Sequence, residues 1–155
     1  RSLNAALLYP GIGLLEFSIT VGRGTDTPFE VLGAPYVDDL RLSHELNKLG
    51  LAGLQFTPIR FTPTASIFKG EACGGVRITI TDRTALNAVD AGIAIASTLQ
   101  RLYPKEFKLS LVDTLLNRTA SVKAMRAGDT WKKVVAGWSS ETQAFEARRR
   151  AFLRY

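Results

Sequence analysis

The stretch GGVRITITDRTALNAVDAGIAIASTLQRLYP, Gly74 to Pro104, decides the fold because its period changes halfway. Val76, Ile78 and Ile80 alternate with Arg77, Thr79 and Thr81, the pattern of a strand with one apolar face. From Asn87 onward Val89, Ile93, Ala96, Leu99 and Tyr103 recur at helical spacing until Pro104 stops the run. Upstream, GLQFTPIRFTPTAS alternates Leu54, Phe56, Ile59 and Phe61 with polar residues, and Pro58 and Pro63 restrict it to an edge or bulged strand. DDLRLSHELNKLG predicts a helix over 37–49, with Leu42, Leu46 and Leu49 inward and Gly50 as its end. PFEVLGAPYV, with two prolines, reads as an irregular connection. Residues 3–9 read as a helix closed by Tyr9-Pro10-Gly11, followed by a short segment, IGLLEF. Past Pro104 the spacing predicts helices over 109–117, 119–127, 130–137 and from Ser140, which stands three residues before Gln143 as in a capping box. Trp131, Trp138, Phe145 and Phe152 are expected to anchor the core. The fold class is therefore α+β, with a small, partly edge-stranded sheet and a helical C-terminal half.

The bulk composition narrows the function. A chain of 155 residues, 46% hydrophobic and 22% charged, is a single domain able to bury a core without staples. No apolar run is long enough for a membrane span. Arg148, Arg149, Arg150 and Arg154 supply most of the net charge of +6, so the body is nearly balanced and lacks the basic face of a nucleic-acid binder. The single cysteine, Cys73, excludes an internal disulfide and a cysteine-cluster zinc site, and it reads as a small packed residue. His44, the only histidine, sits off the apolar stripe of its helix and reads as a surface residue. No cofactor or metal is expected. Met125 is the only methionine, so a chain beginning at Arg1 is expected to be a piece of a longer one.

The chemistry concentrates in LLEFSITVGRGTDTPFEVLGAPYVD, Leu14 to Asp38, which holds three glycines, one arginine and four acidic residues. Gly22 and Gly24 around Arg23 allow backbone N–H groups to converge on an anion, and Arg23 adds a planar fork suited to a carboxylate or phosphate. GRGT is neither a Walker A loop nor a dinucleotide fingerprint. A structural turn with Arg23 paired to Asp26 or Glu30 accounts for the residues equally well. Glu16, after the apolar run IGLL, is either exposed at a helix end or held in a cleft by a cation. Asp82 and Arg83 at the strand end fit a cap and an ion pair.

Taken in order, LLYPGIGLLE (7–16), VGRGTDTPFEVLGAPYVD (21–38), FTPIRFTPTASIFKGEACGGVRITITDR (56–83), LYP (102–104) and FEARRRAFLRY (145–155) resemble the C-terminal domain of the NamZ-type exo-β-N-acetylmuramidases, a bacterial family long catalogued as a domain of unknown function. The resemblance covers essentially the whole chain. It implies that residues 1–155 are the auxiliary, cleft-completing domain of a two-domain enzyme whose N-terminal Rossmann-like catalytic domain lies outside this sequence. It implies hydrolysis of terminal N-acetylmuramic acid from non-reducing ends of peptidoglycan fragments, in cell-wall recycling, in a periplasmic or secreted setting. On this reading Arg23, Gly24, Thr25 and Glu30 bind the muramyl sugar, and the N-terminal domain supplies the main general acid. Glu16 serves as a second carboxylate, binds sugar hydroxyls, or orients Arg23. One departure stands out: FSITV, between Glu16 and GRGT, has Ser18 and Thr20 but no asparagine, where the family pattern often has one. The alternative class is a stand-alone, non-catalytic carbohydrate- or protein-interaction domain. A large apolar patch beside the loop would favour the first class.

Overall fold

In the computed structural model, which describes residues 2–153, a three-stranded antiparallel sheet in the order β1-β3-β2 is combined with seven α-helices among those residues. The strands are β1 (Val31–Ala34), β2 (Leu54–Phe61) and β3 (Cys73–Ile80), with Phe56 opposite Ile78 and Leu32 opposite Val76. The α+β class stands, and the proline-bearing strand lies at the sheet edge as its prolines demand.

The strand β1 corrects the sequence reading, which left this stretch as an irregular connection. Its four residues are buried on both sides, so VLGA shows no alternation to detect. Gly33 and Gly75 make the pairing possible: a Cβ at Gly75 would lie 2.0 Å from the Leu32 carbonyl oxygen. The central strand is glycine-rich because the backbones press together there.

The spine of the domain is α3 (Ala88–Leu102), capped by the Asn87 side chain, which accepts from the Asp90 amide at 3.2 Å. Residues 91–96 are all buried, since neighbours pack on every side of the helix. Val89, assigned to the apolar stripe by spacing, lies on the exposed first turn. Against α3 crosses α1 (Leu3–Ile12), which runs through Pro10 and Gly11 instead of stopping at them. A proline inside a helix costs a backbone bond. The crossing explains why the helix continues: a Cβ on Gly11 would sit 1.6 Å from the Ala88 carbonyl oxygen, and one on Gly92 2.4 Å from that of Gly11. A 3-10 turn, Gly13–Leu15, follows.

One face of the sheet is covered by α2 (Asp39–Asn47), which carries Leu42 and Leu46 inward. His44 is exposed, as its position off the stripe predicts. Asn47 ties the helix to β2: its side-chain oxygen accepts from the Phe56 amide at 3.0 Å, and its amide donates to the Phe56 carbonyl at 2.7 Å. Ser43 also donates to that carbonyl, at 2.8 Å, so Asn47→Ala orphans chiefly the Phe56 N–H. We expect a loss of about 1–2 kcal/mol in urea denaturation; an unchanged midpoint would show that water replaces the side chain.

The C-terminal part comprises the 3-10 turn Leu109–Val112 with α4 (Asp113–Leu116), then α5 (Thr119–Arg126), α6 (Trp131–Ala136) and α7 (Ser139–Arg149). The capping box at Ser140 does not form. Only Gly137 and Trp138 separate α6 from α7, so no extended residue precedes the helix and Ser140 lies inside it. Trp131 and Trp138 pack partly buried against the core, but Phe145 and Phe152 are exposed, contrary to the expectation of core anchors. Arg154 and Tyr155, at the end of the basic run, lie outside the described residues.

Candidate functional site

The turn carrying GRGT is built by its glycines. Gly22 and Gly24 have φ of 77° and 81°, in the left-handed region that glycine enters without steric cost. Thr25 closes the turn twice, its amide donating to the Gly22 carbonyl at 3.0 Å and its hydroxyl to the same oxygen at 2.7 Å. Both Thr25 donors are therefore engaged inside the loop. The Gly24 amide makes no hydrogen bond among the described residues. Thr64, from the segment after β2, holds the turn from outside: its amide and hydroxyl donate to the Gly24 carbonyl at 2.9 and 2.8 Å. A Cβ on Gly24 would lie 2.3 Å from the Ala65 nitrogen. The two glycine- and proline-bearing motifs, some 40 residues apart, thus make one structure.

Arg23 is paired with Glu16, not with Asp26 or Glu30. Its Nε and Nη2 donate to a single oxygen, Glu16 Oε2, at 3.0 and 2.7 Å. That leaves Nη1 of the guanidinium and Oε1 of the carboxylate without a protein partner among the described residues. The guanidinium lies over the Phe29 ring, 5.0 Å from its centroid, and the Tyr9 ring meets Phe29 edge-on at 5.0 Å. Phe29 adopts φ 68°, a strained conformation for a bulky residue, with its amide donating to the Val21 carbonyl at 2.7 Å. This strain sets the aromatic ring under Arg23. Sequence reasoning missed Tyr9, Phe29 and Thr64, since no spacing rule brings them to the loop.

Glu30 is turned away from Arg23. Ser2, the N-cap of α1, donates its hydroxyl to Glu30 Oε1. Glu16, Arg23, Gly24 and Thr25 are thus brought together, while Glu30 stands along the neighbouring rim. Tyr9 and Phe17 are 53% and 45% exposed, so apolar surface flanks the loop on the α1 side. Residues 16–30 line none of the hollows beside Trp138, Trp131 and Tyr36.

Other sequence candidates have structural roles. The Asp82 carboxylate accepts from the Thr84 amide and hydroxyl at 2.8 and 2.7 Å, and these bonds lower its pKa; Arg83 reaches Asn4 at 3.3 Å instead of an acid. Cys73 is buried, and burial, with Glu71 nearby, pushes its thiol up to about 11, which leaves it protonated and unreactive at neutral pH. Tyr103, of the LYP motif, receives the Asp38 amide on its hydroxyl at 3.0 Å.

The comparisons with known proteins agree with this architecture. Two DUF1343 family proteins of Bacteroides fragilis NCTC 9343 share the fold. One aligns with a TM-score of 0.83 and 23% identity over 97% of this chain, the other with 0.72 and 22% over 100%; each alignment spans 42% of the Bacteroides chain. The peptidoglycan beta-N-acetylmuramidase NamZ of Bacillus subtilis (strain 168) is 32% identical over 158 residues, covering 99% of this chain and 38% of that protein. The chain therefore spans about two fifths of the length of these relatives. The profile of the family described as exo-beta-N-acetylmuramidase NamZ, C-terminal, matches residues 7–155, and the chain belongs to that family.

Proposed function

We propose that this domain forms one wall of the site at which a longer enzyme hydrolyses terminal N-acetylmuramic acid from peptidoglycan fragments. The observation that carries the reading is the half-satisfied Glu16–Arg23 pair on the GRGT turn. N-acetylmuramic acid differs from N-acetylglucosamine by a lactyl ether bearing a carboxylate. That carboxylate suits Arg23 Nη1 and the Gly24 amide, two donors of the turn without a partner among the described residues. Thr25 contributes by locking the turn, and Glu30 Oε2 accepts a sugar hydroxyl at the rim. Glu16 holds Arg23 with one oxygen. Its other oxygen is the second carboxylate of a glycosidase pair, opposite an acid supplied by the preceding domain.

The half-exposed Tyr9, in edge contact with the Phe29 ring under Arg23, gives a partner domain apolar surface to cover beside the loop, which supports a wall completed by that domain. The same substrate gives the parent enzyme its setting, the bacterial envelope or the medium outside it. No helix of the described residues is long and apolar enough to cross a membrane.

The test is a titration of the chain with free N-acetylmuramic acid and, separately, with N-acetylglucosamine, followed by amide chemical shifts. Shifts confined to Gly22–Thr25 are expected with the muramyl sugar alone. Equal responses to the two sugars, or shifts elsewhere in the domain, would sink the lactyl assignment.

A further inference from the structure

The helix α7 has no inside. None of its residues is buried, Phe145 is 53% exposed, and Phe152 just beyond is 82% exposed. A free helix of eleven residues is marginal in water, and most helices in proteins are stabilised by packing an apolar face. Its ties to the domain are confined to the first turn. Arg118 donates to both oxygens of Glu141, at 2.7 and 2.8 Å, and lies 5.8 Å from the Trp138 ring centroid.

Beyond that clasp α7 stands off the start of α3. The space between them is a groove of about 830 Å³, walled by Val89, Leu116, Val135, Trp138 and Phe145. Exposed apolar side chains from two different helices, Val89 and Phe145, face the same hollow. Farther along α7, Arg149 pairs with Glu146 at 3.0 Å, while Arg148 and Arg150 make no ion pair among the described residues.

We infer that this groove and the outer face of α7 are the docking surface for the domain that precedes this one in the longer chain. That domain contributes an apolar side chain to the groove and carboxylates to Arg148 and Arg150. The inference rests on the two-domain reading proposed above. The matched family region is a C-terminal one, and the relatives carry more than half of their length outside it. The groove also adjoins the elements that lead to the candidate site. The 3-10 turn Gly13–Leu15, directly before Glu16, contacts α4, and α1 crosses α3 next to Val89. A second copy of this chain fits less well, because it would bring another arginine-rich helix against the first.

Hydrogen exchange of residues 139–149, measured in this chain and in the full-length protein, tests the inference. The α7 amides are expected to exchange about 100-fold more slowly in the full-length protein. Phe145→Asp should abolish that protection while α3 stays protected. Equal α7 exchange in the two chains would overturn the docking, as would protection of the shorter chain that rises with its concentration, the mark of self-association. Sugar-dependent shifts at Gly22–Thr25 provide the separation from the functional reading. If they persist while α7 exchanges fast, only the docking fails; if they vanish while α7 is protected, only the muramyl assignment fails.

Discussion

Replacing Gly92 by leucine is expected to cost the domain about 3 kcal/mol, the upper part of the range for overpacking a core. The reason is that nothing at this crossing can retreat. A Cβ on Gly92 meets the Gly11 carbonyl oxygen at 2.4 Å, with the Gly11 carbonyl carbon and Cα at 2.8 and 2.9 Å, and all three are backbone atoms of the facing helix. Accommodation therefore means separating α1 from α3 as rigid bodies. The separation exposes Leu8 and Ile12 on one side and opens the packing around Ile93 and Ile95 on the other. Urea denaturation should show a large fall in the midpoint with an unchanged slope. A loss below about 1 kcal/mol would mean that the helices part easily and that the close approach is incidental.

The largest functional effect is expected from Arg23→Ala in the full-length enzyme: kcat/KM on a muramyl substrate with a free lactyl carboxylate should fall about 100-fold. Arg23→Lys should recover only part of this, because an ammonium keeps the charge but not the fork that lets two nitrogens hold Glu16 while a third faces outward. The comparison substrate decides the cause. With the lactyl carboxylate masked as an amide, the wild-type enzyme and Arg23→Ala should differ little. A fall of equal size on both substrates would assign Arg23 to loop architecture, and unchanged kcat/KM on the free acid would remove it from the site altogether.

The strands and helices with a clear period were legible before the structure. In β3, α2 and α3 apolar residues recur at the period of the element, and the spacing reveals it. What escaped has physical causes. The strand β1 is buried on both faces and half of it is Gly-Ala, so it has neither alternation nor β-branched bulk beyond Val31. In α1 a tertiary contact at Gly11 overrode the local stop signal of Pro10-Gly11. Phe145 and Phe152 were assigned to the core because large aromatics are usually buried, a rule that assumes the chain covers its own surface. At the candidate site, Glu16, Arg23 and the GRGT turn were recognisable as residue types, and orienting Arg23 was among the roles open to Glu16. The actual pairing was not legible, since Asp26 is nearer to Arg23 in sequence and Glu30 stands as near to it as Glu16 does. Thr64 and Phe29 act through contacts and a strained backbone angle that spacing does not encode.

Along the outer side of β2, the Leu54 amide donates to the Leu51 carbonyl, both polar groups of Phe56 are taken by Asn47, and Pro58 has no N–H to offer. Along the outer side of β1, Thr20 takes both the N–H and the C=O of Gly33, at 3.0 and 3.1 Å. Much of each margin is therefore already occupied, and the outer side of β2 offers a further strand little beyond Arg60. Neighbouring copies find little template for edge-to-edge aggregation. The surface this domain offers to another lies mainly in side chains on its helices and loops.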